Sequence, residues 1–260
     1  MCYTFADRIL HYIPIELEGE SSMISVCMAT YNGEKYLKDQ LDSILKQIQS
    51  SDELIISDDG SSDSTRNIIQ EYQKQYKNIV LLDGPRRGVQ KNFEHALKHA
   101  KADILFLSDQ DDVWMDGKVE RVLQEFEDPK TLCVVHDCEI VDGNLNSTHE
   151  TFFGLKHGKP GLLANLYKNA FIGCGMAFRK CVFEKSYPFP DNIEMHDWWI
   201  GLVASCMGKT VFIHEPYIKY RRHGDNTSSL QHYPLKKMIS NRLYFIQQLR
   251  FRKKQVGWHD

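Results

Sequence analysis

No stretch of this 260-residue chain is apolar for long enough to span a bilayer. The most apolar window, Gly161 to Phe178, is broken by Lys168 and by several Asn and Gly residues. The seven cysteines contain no C-x-x-C spacing. That excludes a zinc ribbon and argues against a disulfide framework, so buried thiols in a reducing cytosol are expected. Neither sign of charge dominates: 32 Lys and Arg stand against 35 Asp and Glu, for a formal net charge of −3. No overall basic field draws nucleic acid, and no nucleic-acid partner is expected. Internal repeats, low-complexity tracts and a linker able to split the chain are also missing. The first residues lack the basic start and small-residue cleavage site of a signal peptide. Against that background the triplets Asn146-Ser-Thr and Asn226-Thr-Ser read as chance matches to a glycosylation site. What remains is the composition of an ordinary globular protein. At this length roughly three quarters of the extended surface should be buried on folding, in one large or two small domains.

The most informative stretch is Ile104-Leu-Phe-Leu-Ser-Asp-Gln-Asp-Asp112. A short apolar run ending in acidic residues predicts a buried, parallel strand. Its carboxylates then sit past the C-terminal end, where open α/β sheets place ligands. Asp109, Asp111 and Asp112 repel one another, and a divalent cation relieves the repulsion. Oxygen ligands suit Mg²⁺ or Mn²⁺, which pair naturally with a substrate diphosphate.

Around it the chain alternates. Strands are predicted at Ile24–Thr30, Glu53–Ser57 and Ile79–Leu82. Helices are predicted from Glu34 to Gln49, from a cap at Asp63 or Ser64 to about Tyr76, and from Val89 to Lys101. This rhythm predicts right-handed βαβ crossovers and a mostly parallel sheet. After residue 112 the rhythm changes. A helix is expected over Lys118–Glu127, strands over Thr131–His136 and Glu139–Asn144, and an irregular segment over residues 145–160. Then follow a strand-like, glycine-interrupted Phe171–Arg179 and an amphipathic helix His196–Met207 ended by Gly208. Two short strands flank Pro216, Arg221–Thr227 forms a polar loop, and Leu235–Lys254 a basic helix. Residues 1–22 fit no element and read as an extension ahead of a first strand that opens at Met23.

Three strand ends carry polar side chains: Thr30-Tyr-Asn32, Asp58-Asp59 and Asp109-x-Asp111. Each alone is ordinary turn or capping chemistry. A parallel sheet would bring all three to one edge, where Tyr31 can stack on a base, Asp59 can accept from a base N–H and Asp109 from ribose hydroxyls.

Ile24-Ser-Val-Cys-Met-Ala-Thr-Tyr-Asn-Gly33, Ile55-Ile-Ser-Asp-Asp-Gly-Ser-Ser-Asp63 and Leu107-Ser-Asp-Gln-Asp-Asp112 together resemble the inverting family-two glycosyltransferases of the GT-A fold. The likeness continues in Phe171-Ile-Gly-Cys-Gly-Met-Ala-Phe-Arg179, His196-Asp-Trp-Trp199 and Tyr220-Arg-Arg-His-Gly224. This later set looks like the rhamnosyltransferase-like branch that builds bacterial surface polysaccharides. The resemblance covers about residues 23–230. It implies an α/β GT-A fold with a Rossmann-like central sheet, a nucleotide-binding half over 23–112 and an acceptor and catalytic half over 113–230, followed by a basic helix in 231–260.

Carried over by position, the resemblance implies that Thr30, Tyr31, Asn32, Asp59, Lys91 and Asp109 bind the donor nucleotide. It implies that Asp111 and His223 hold Mn²⁺ or Mg²⁺ and that Asp197 is the catalytic base. Trp198, Gly173 and Arg221 are candidate sugar or acceptor contacts. Lys91 stands where Arg is commoner, and His196 where Glu usually precedes the base. The implied donor is dTDP-rhamnose or a UDP-sugar, and the implied acceptor a saccharide or lipid-linked saccharide. Asp197 lies at a helix N-terminus, where the dipole favours the carboxylate, so its pKa is expected to be low. Of Trp198 and Trp199, adjacent on a helix, at least one should pack inward. The cytoplasm is the expected location, with a candidate peripheral contact to the inner face of the membrane through the basic C-terminal helix. Two competing readings are a haloacid-dehalogenase-like phosphatase, with Asp109 as nucleophile, and a sugar-nucleotide-binding module without catalysis.

Overall fold

The strand β1 (Ile24–Thr30) is buried along its whole length, which fits a run with a second layer of structure on each side. It pairs in parallel with β2 (Glu53–Asp58) and with β4 (Ile104–Ser108), and β2 pairs in parallel with β3 (Ile79–Asp83). The helices between them are α1 (Leu37–Leu45), α2 (Thr65–Gln75) and α3 (Val89–His99). The computed structural model describes residues 23–224 and 234–257. The expected extension at 1–22, the triplet at Asn226 and the last three residues of the polar loop expected over Arg221–Thr227 lie outside the described residues.

Past β4 the sheet becomes mixed. The two-residue strand β5 (Val113–Trp114) precedes α4 (Lys118–Phe126), β6 (Thr131–Val141) and β7 (Ser147–Thr151). Short helices α5 (Phe152–Lys156) and α6 (Leu162–Tyr167) lead to a single 3-10 turn at Gly173–Gly175 and to β8 (Met176–Arg179). Helices α7 (Lys180–Ser186) and α8 (His196–Met207), strand β9 (Lys209–Arg221) and helix α9 (Leu235–Val256) complete the described chain. The strand order is β3-β2-β1-β4-β8-β6-β9-β5, with β7 beside β6. Strand β8 runs antiparallel to both β4 and β6, and β6 is parallel to β9. The result is one sheet, mostly parallel in strand direction and flanked by helices.

Four departures from the expected elements have local causes. The strands expected at 131–136 and 139–144 are one strand with a register shift at Asp137, and the pair around Pro216 is likewise one strand opposite it. A bulge preserves pairing while re-aiming side chains. The segment 145–160 is not irregular; it supplies β7 and α5. The strand-like Phe171–Arg179 is a strand only from Met176, because the turn Gly173–Gly175 interrupts it. Helix α8 is not amphipathic: its first nine residues are all buried. It lies between the sheet and α9, so no face meets water.

Trp199 shows how tightly that helix is held. It is fully buried, donates its indole N–H to Ser186 O at 3.0 Å, and stacks on Phe245 of α9. Trp199→Ala is expected to cost about 3–5 kcal/mol, read as a lower urea midpoint with an unchanged m-value.

Candidate functional site

Strands β1, β2 and β4 end at one edge because their registers align: Thr30 lies opposite Asp58, and Met28 opposite Ser108. The loops leaving these ends wall a cavity of about 1110 Å³. Among the residues expected to act, Thr30, Tyr31, Asn32, Asp59, Asp109, Asp111 and His223 line it. Tyr31 lines it while 58% exposed.

Hydrogen bonds fix each loop. Thr30 Oγ1 donates to buried Asp58 at 2.9 Å. Burial of Asp58 works against its charge, but bonds from Ser61, Thr30 and Arg66 outweigh it and hold its carboxyl below the usual range. Asp58 is thus a brace. Its neighbour Asp59 lines the cavity, and its two oxygens accept from the backbone N–H of Arg86 at 2.6 Å and Gly88 at 2.8 Å. A carboxylate has about four lone-pair sites, so acceptor capacity remains. Asn32, at φ 48°, uses its side-chain oxygen to accept from Ser62 N–H at 2.8 Å. Its amide group therefore braces the loop after β2 rather than reaching freely into the cavity.

Gln110, at the unassigned middle position of the acidic motif, joins the acidic loop to the end of β1. Its amide accepts from Tyr31 N–H at 2.9 Å and donates to Tyr31 O at 3.0 Å. A Cβ on Gly33 would lie 2.3 Å from the Gln110 oxygen, so glycine there lets the bridge form. Gly84 has a stricter role: a Cβ would meet the backbone oxygen of Asp58 at 2.7 Å.

The acidic segment is held at both ends, by β4 in the sheet centre and by β5, which pairs with β9 through Val113–Lys219 and Trp114–Ile218. From the end of β9, Arg221 closes the clamp. Its backbone N–H donates to Asp112 Oδ1 at 2.9 Å, and its guanidinium to the Asp111 carbonyl, the Gly143 carbonyl and the Asp39 carboxylate. Arg221 is buried, and these bonds shape the acidic loop. The same strand delivers His223, whose Nε2 lies 2.8 Å from Asp111 Oδ2.

The residues present fit a divalent cation. Asp111 and His223 converge on one point of the cavity wall, and Asp109 shares that wall. Asp109 is pushed up to about 7, by burial first and then by the carboxylates of Asp111 and Asp197. A cation would remove that repulsion. A second grouping, Asp109 with Asp112 and Cys174, also brings ligand atoms together. It fits less well, because Asp112 is fully buried beside Arg221, and burial raises the Cys174 thiol far from its ionised form. Hard cations prefer oxygen and tolerate imidazole over a protonated thiol.

Behind this wall lies Lys118, the first residue of α4. It is fully buried, donates to Cys174 O at 2.7 Å and sits 4.0 Å over the Trp114 ring. Burial lowers its pKa to about 8, against the pull of Asp112 and Asp109. A helix-start lysine reads as solvated in sequence, so nothing signalled it. The raised carboxyls beside it cost stability as pH climbs through their folded pKa values, and the ammonium offsets that cost. Lys118→Met is therefore expected to destabilise the fold more at pH 7.5 than at pH 5, read by urea denaturation at both pH values.

Asp197 sits on the first turn of α8, 8% exposed. Its oxygens accept from Gly173 N–H at 2.9 Å and Trp198 N–H at 2.6 Å. The expected low pKa is reversed: burial raises it to about 6 despite those bonds. Desolvation outweighs the helix dipole because the dipole term is worth at most about 2 kcal/mol, whereas full burial moves a carboxyl by several pH units. Asp197 is electrostatically linked to Asp109 but is not itself part of the cavity lining; Met195, two residues before it, is. Gly173 lies against Asp197 and His196 and serves the carboxylate through its backbone N–H.

Two expected contacts are placed elsewhere. Lys91 binds the Phe189 carbonyl at 2.9 Å and pairs with Glu94 at 3.3 Å, away from the cavity lining. Trp198 is buried, donates to Asn165 O at 3.0 Å and packs on Phe245 at 4.5 Å. Both indoles of the pair are packing residues. Lys35 and Arg86 instead bring positive charge to the cavity wall. Arg86 was legible in sequence only as one of two arginines in a turn.

The family described as Glycosyl transferase family 2 matches residues 25–186. An uncharacterised glycosyltransferase of a Nostoc species is 29% identical over 212 residues, covering 78% of this chain and 66% of its own. The dTDP-rhamnosyl transferase RfbG of Shigella flexneri is 29% identical over 215 residues, covering 76% of this chain and 72% of its own. This chain thus spans about two thirds of the length of these relatives. Among solved structures, S. aureus TarS 1-349 in complex with UDP-GlcNAc superposes with a TM-score of 0.68 at 16% identity, over 91% of this chain and 68% of that one. The mannosyltransferase PcManGT of Pyrobaculum calidifontis, in complex with GDP-Man and Mn²⁺, gives 0.60 at 18% identity, over 92% and 66%.

Proposed function

This chain belongs to glycosyl transferase family 2, and on that premise we propose that it transfers a sugar, with inversion, from a nucleoside diphosphate sugar to a hydroxyl of a saccharide or lipid-linked saccharide. The observation that carries the reading is the convergence of three strand ends and His223 on one cavity. Tyr31 and Asp59 take the base, Asp109 takes the ribose, and Lys35 and Arg86 face the diphosphate. Asp111 and His223, with Asp109 beside them, would hold Mn²⁺ or Mg²⁺. When bound, such an ion supplies positive charge that stabilises the diphosphate as it leaves.

Asp197 accepts the proton of the acceptor hydroxyl. As the bond from the acceptor oxygen to the anomeric carbon forms, the bond from that carbon to the diphosphate oxygen breaks. The proton ends on Asp197 and no covalent enzyme intermediate is needed. A pKa of about 6 leaves the carboxylate ionised at neutral pH yet more basic than an ordinary aspartate, as general-base catalysis favours. The 29% identity to a dTDP-rhamnosyl transferase supports dTDP-rhamnose as donor, with a UDP-sugar as the other candidate, and a role in surface polysaccharide synthesis.

The test is a thermal-shift panel of dTDP, UDP and GDP and their sugars, each with and without Mn²⁺, followed by nucleotide release with saccharide acceptors. A ligand at 100 times its Kd should add about 2.7 kcal/mol of stability. A metal-dependent shift with one base and release on an acceptor are expected. Shift without release on any acceptor would instead mark a binding module, and phosphate release from aryl phosphates would mark a phosphatase.

A further inference from the structure

We propose that the outer faces of α9 and α6 form a docking surface for an anionic lipid bilayer. The proposal extends the reading above, since a lipid-linked acceptor would be presented at such a surface, but its evidence is independent of the site.

Helix α9 carries seven Lys and Arg residues and no Asp or Glu, in a chain whose net charge is −3. The bias is therefore local. The helix buries one face: Phe245 and Leu249 enter the core, and Arg252 binds the carbonyls of Tyr187 and Pro188. The opposite face presents Ile239 and Leu243, one helical turn apart, and Phe251 about two turns further on, all exposed. Exposed Lys236, Arg250 and Lys254 stand on the same side, towards its two ends.

Helix α6 lies beside α9. Arg242 of α9 donates to Tyr167 O at 2.7 Å, which fixes the end of α6 beside α9. Leu163 and Tyr167, one helical turn apart, are 80% and 81% exposed. Five of the ten large apolar side chains exposed among the described residues thus lie on these two helices. A shallow groove of about 450 Å³ on α9 is lined by Ile239 and Leu243, with Lys236 and Gln247 at its two ends.

Apolar side chains flanked by cations, with no anion on the helix, match the interface of a bilayer: the apolar groups enter the acyl boundary and the cations meet lipid phosphates. No helix among the described residues is long and apolar enough to cross a membrane, so the contact would be peripheral. A protein partner would need acidic groups and a shaped apolar surface together; a bilayer supplies charge and apolarity without shape, which suits a face this shallow.

The test is co-sedimentation of the full chain with phosphatidylcholine vesicles, with and without about 30% phosphatidylglycerol. Binding is expected only with the anionic lipid, and it should weaken several-fold when salt rises from about 0.1 to 0.5 M. The triple variant Lys236→Glu, Arg250→Glu, Lys254→Glu should lower partitioning by about tenfold or more. Leu243→Ser with Phe251→Ser should lower it at low salt, where charge alone would have sufficed. All five positions are exposed, so an unchanged melting temperature separates lost docking from lost folding. Equal binding to neutral vesicles, binding indifferent to both variants, or a concentration-dependent dimer abolished by Leu243→Ser in place of lipid binding would each overturn the proposal. None of these outcomes depends on nucleotide binding or turnover.

Discussion

Asp197→Asn is expected to lower turnover by about 10²–10⁴-fold, the range a positioned general base contributes, while nucleotide affinity and stability stay close to those of the unaltered protein. Stability should hold because two effects oppose. The native carboxyl is raised from 3.8 to about 6 by burial, so at pH 7 its ionisation works against the fold by roughly 3 kcal/mol at most. Asparagine removes that burden. It also turns an NH₂ group towards Gly173 N–H or Trp198 N–H, both of which now donate to the carboxylate. A buried donor left without an acceptor costs about 1–3 kcal/mol. The near-cancellation means that a collapse in rate with little change in melting temperature isolates the chemistry.

The pH profile provides the sign. A base works deprotonated, so kcat/KM should fall about tenfold per pH unit below about pH 6. An aspartate at its ordinary value would keep the rate flat to about pH 5. The same raised pKa acts oppositely on stability: the carboxyl's contribution is present at low pH and is lost as pH rises through about 6. Acidification should therefore remove activity before it removes the fold. A rate flat to pH 5, or an Asp197→Asn variant with near-normal turnover, would remove Asp197 from the role of base.

The four parallel strands were legible because each is a short apolar run, and alternation with helices dictates their direction. Their shared edge followed from the topology, and with it the meeting of Thr30, Asp59 and Asp109. Quantities that depend on surroundings were not legible. The helix dipole at Asp197 can be read from position, whereas its desolvation comes from a sheet and helices distant in sequence. Lys118 has the spacing of a solvated helix start, yet it is buried against the Trp114 ring and the carbonyl of Cys174, more than fifty residues later. Lys91 occupies a suitable position along α3, but the carbonyl of Phe189, nearly a hundred residues later, captures its ammonium. Arg221 carries the charge of an acceptor contact and is consumed by the acidic loop. Strand β5 is two residues long and has no periodicity to detect, yet it anchors the acidic motif.

Asp111→Ala should remove the gain in nucleotide affinity that Mn²⁺ confers and leave metal-free binding nearly unchanged. The argument rests on partition within the acidic cluster. Asp111 shares the cavity wall with His223 and meets its Nε2 at 2.8 Å. Asp112, one residue on, is fully buried and accepts from the Arg221 backbone, so its loss should lower stability. Loss of a side chain that only supports a metal ligand typically costs about 10–100-fold in affinity; removal of a direct ligand should reach or exceed the upper figure. His223→Ala should weaken the Mn²⁺ dependence less, since it removes a neutral ligand and leaves both facing carboxylates. Cys174→Ser should leave it intact, because that thiol is held protonated by burial. Titration of the nucleotide at several Mn²⁺ concentrations separates these cases. If Cys174→Ser abolished the metal effect and Asp111→Ala spared it, the cation would belong to the inner grouping of Asp109, Asp112 and Cys174, and the leaving diphosphate would have to approach from the opposite side of the acidic loop.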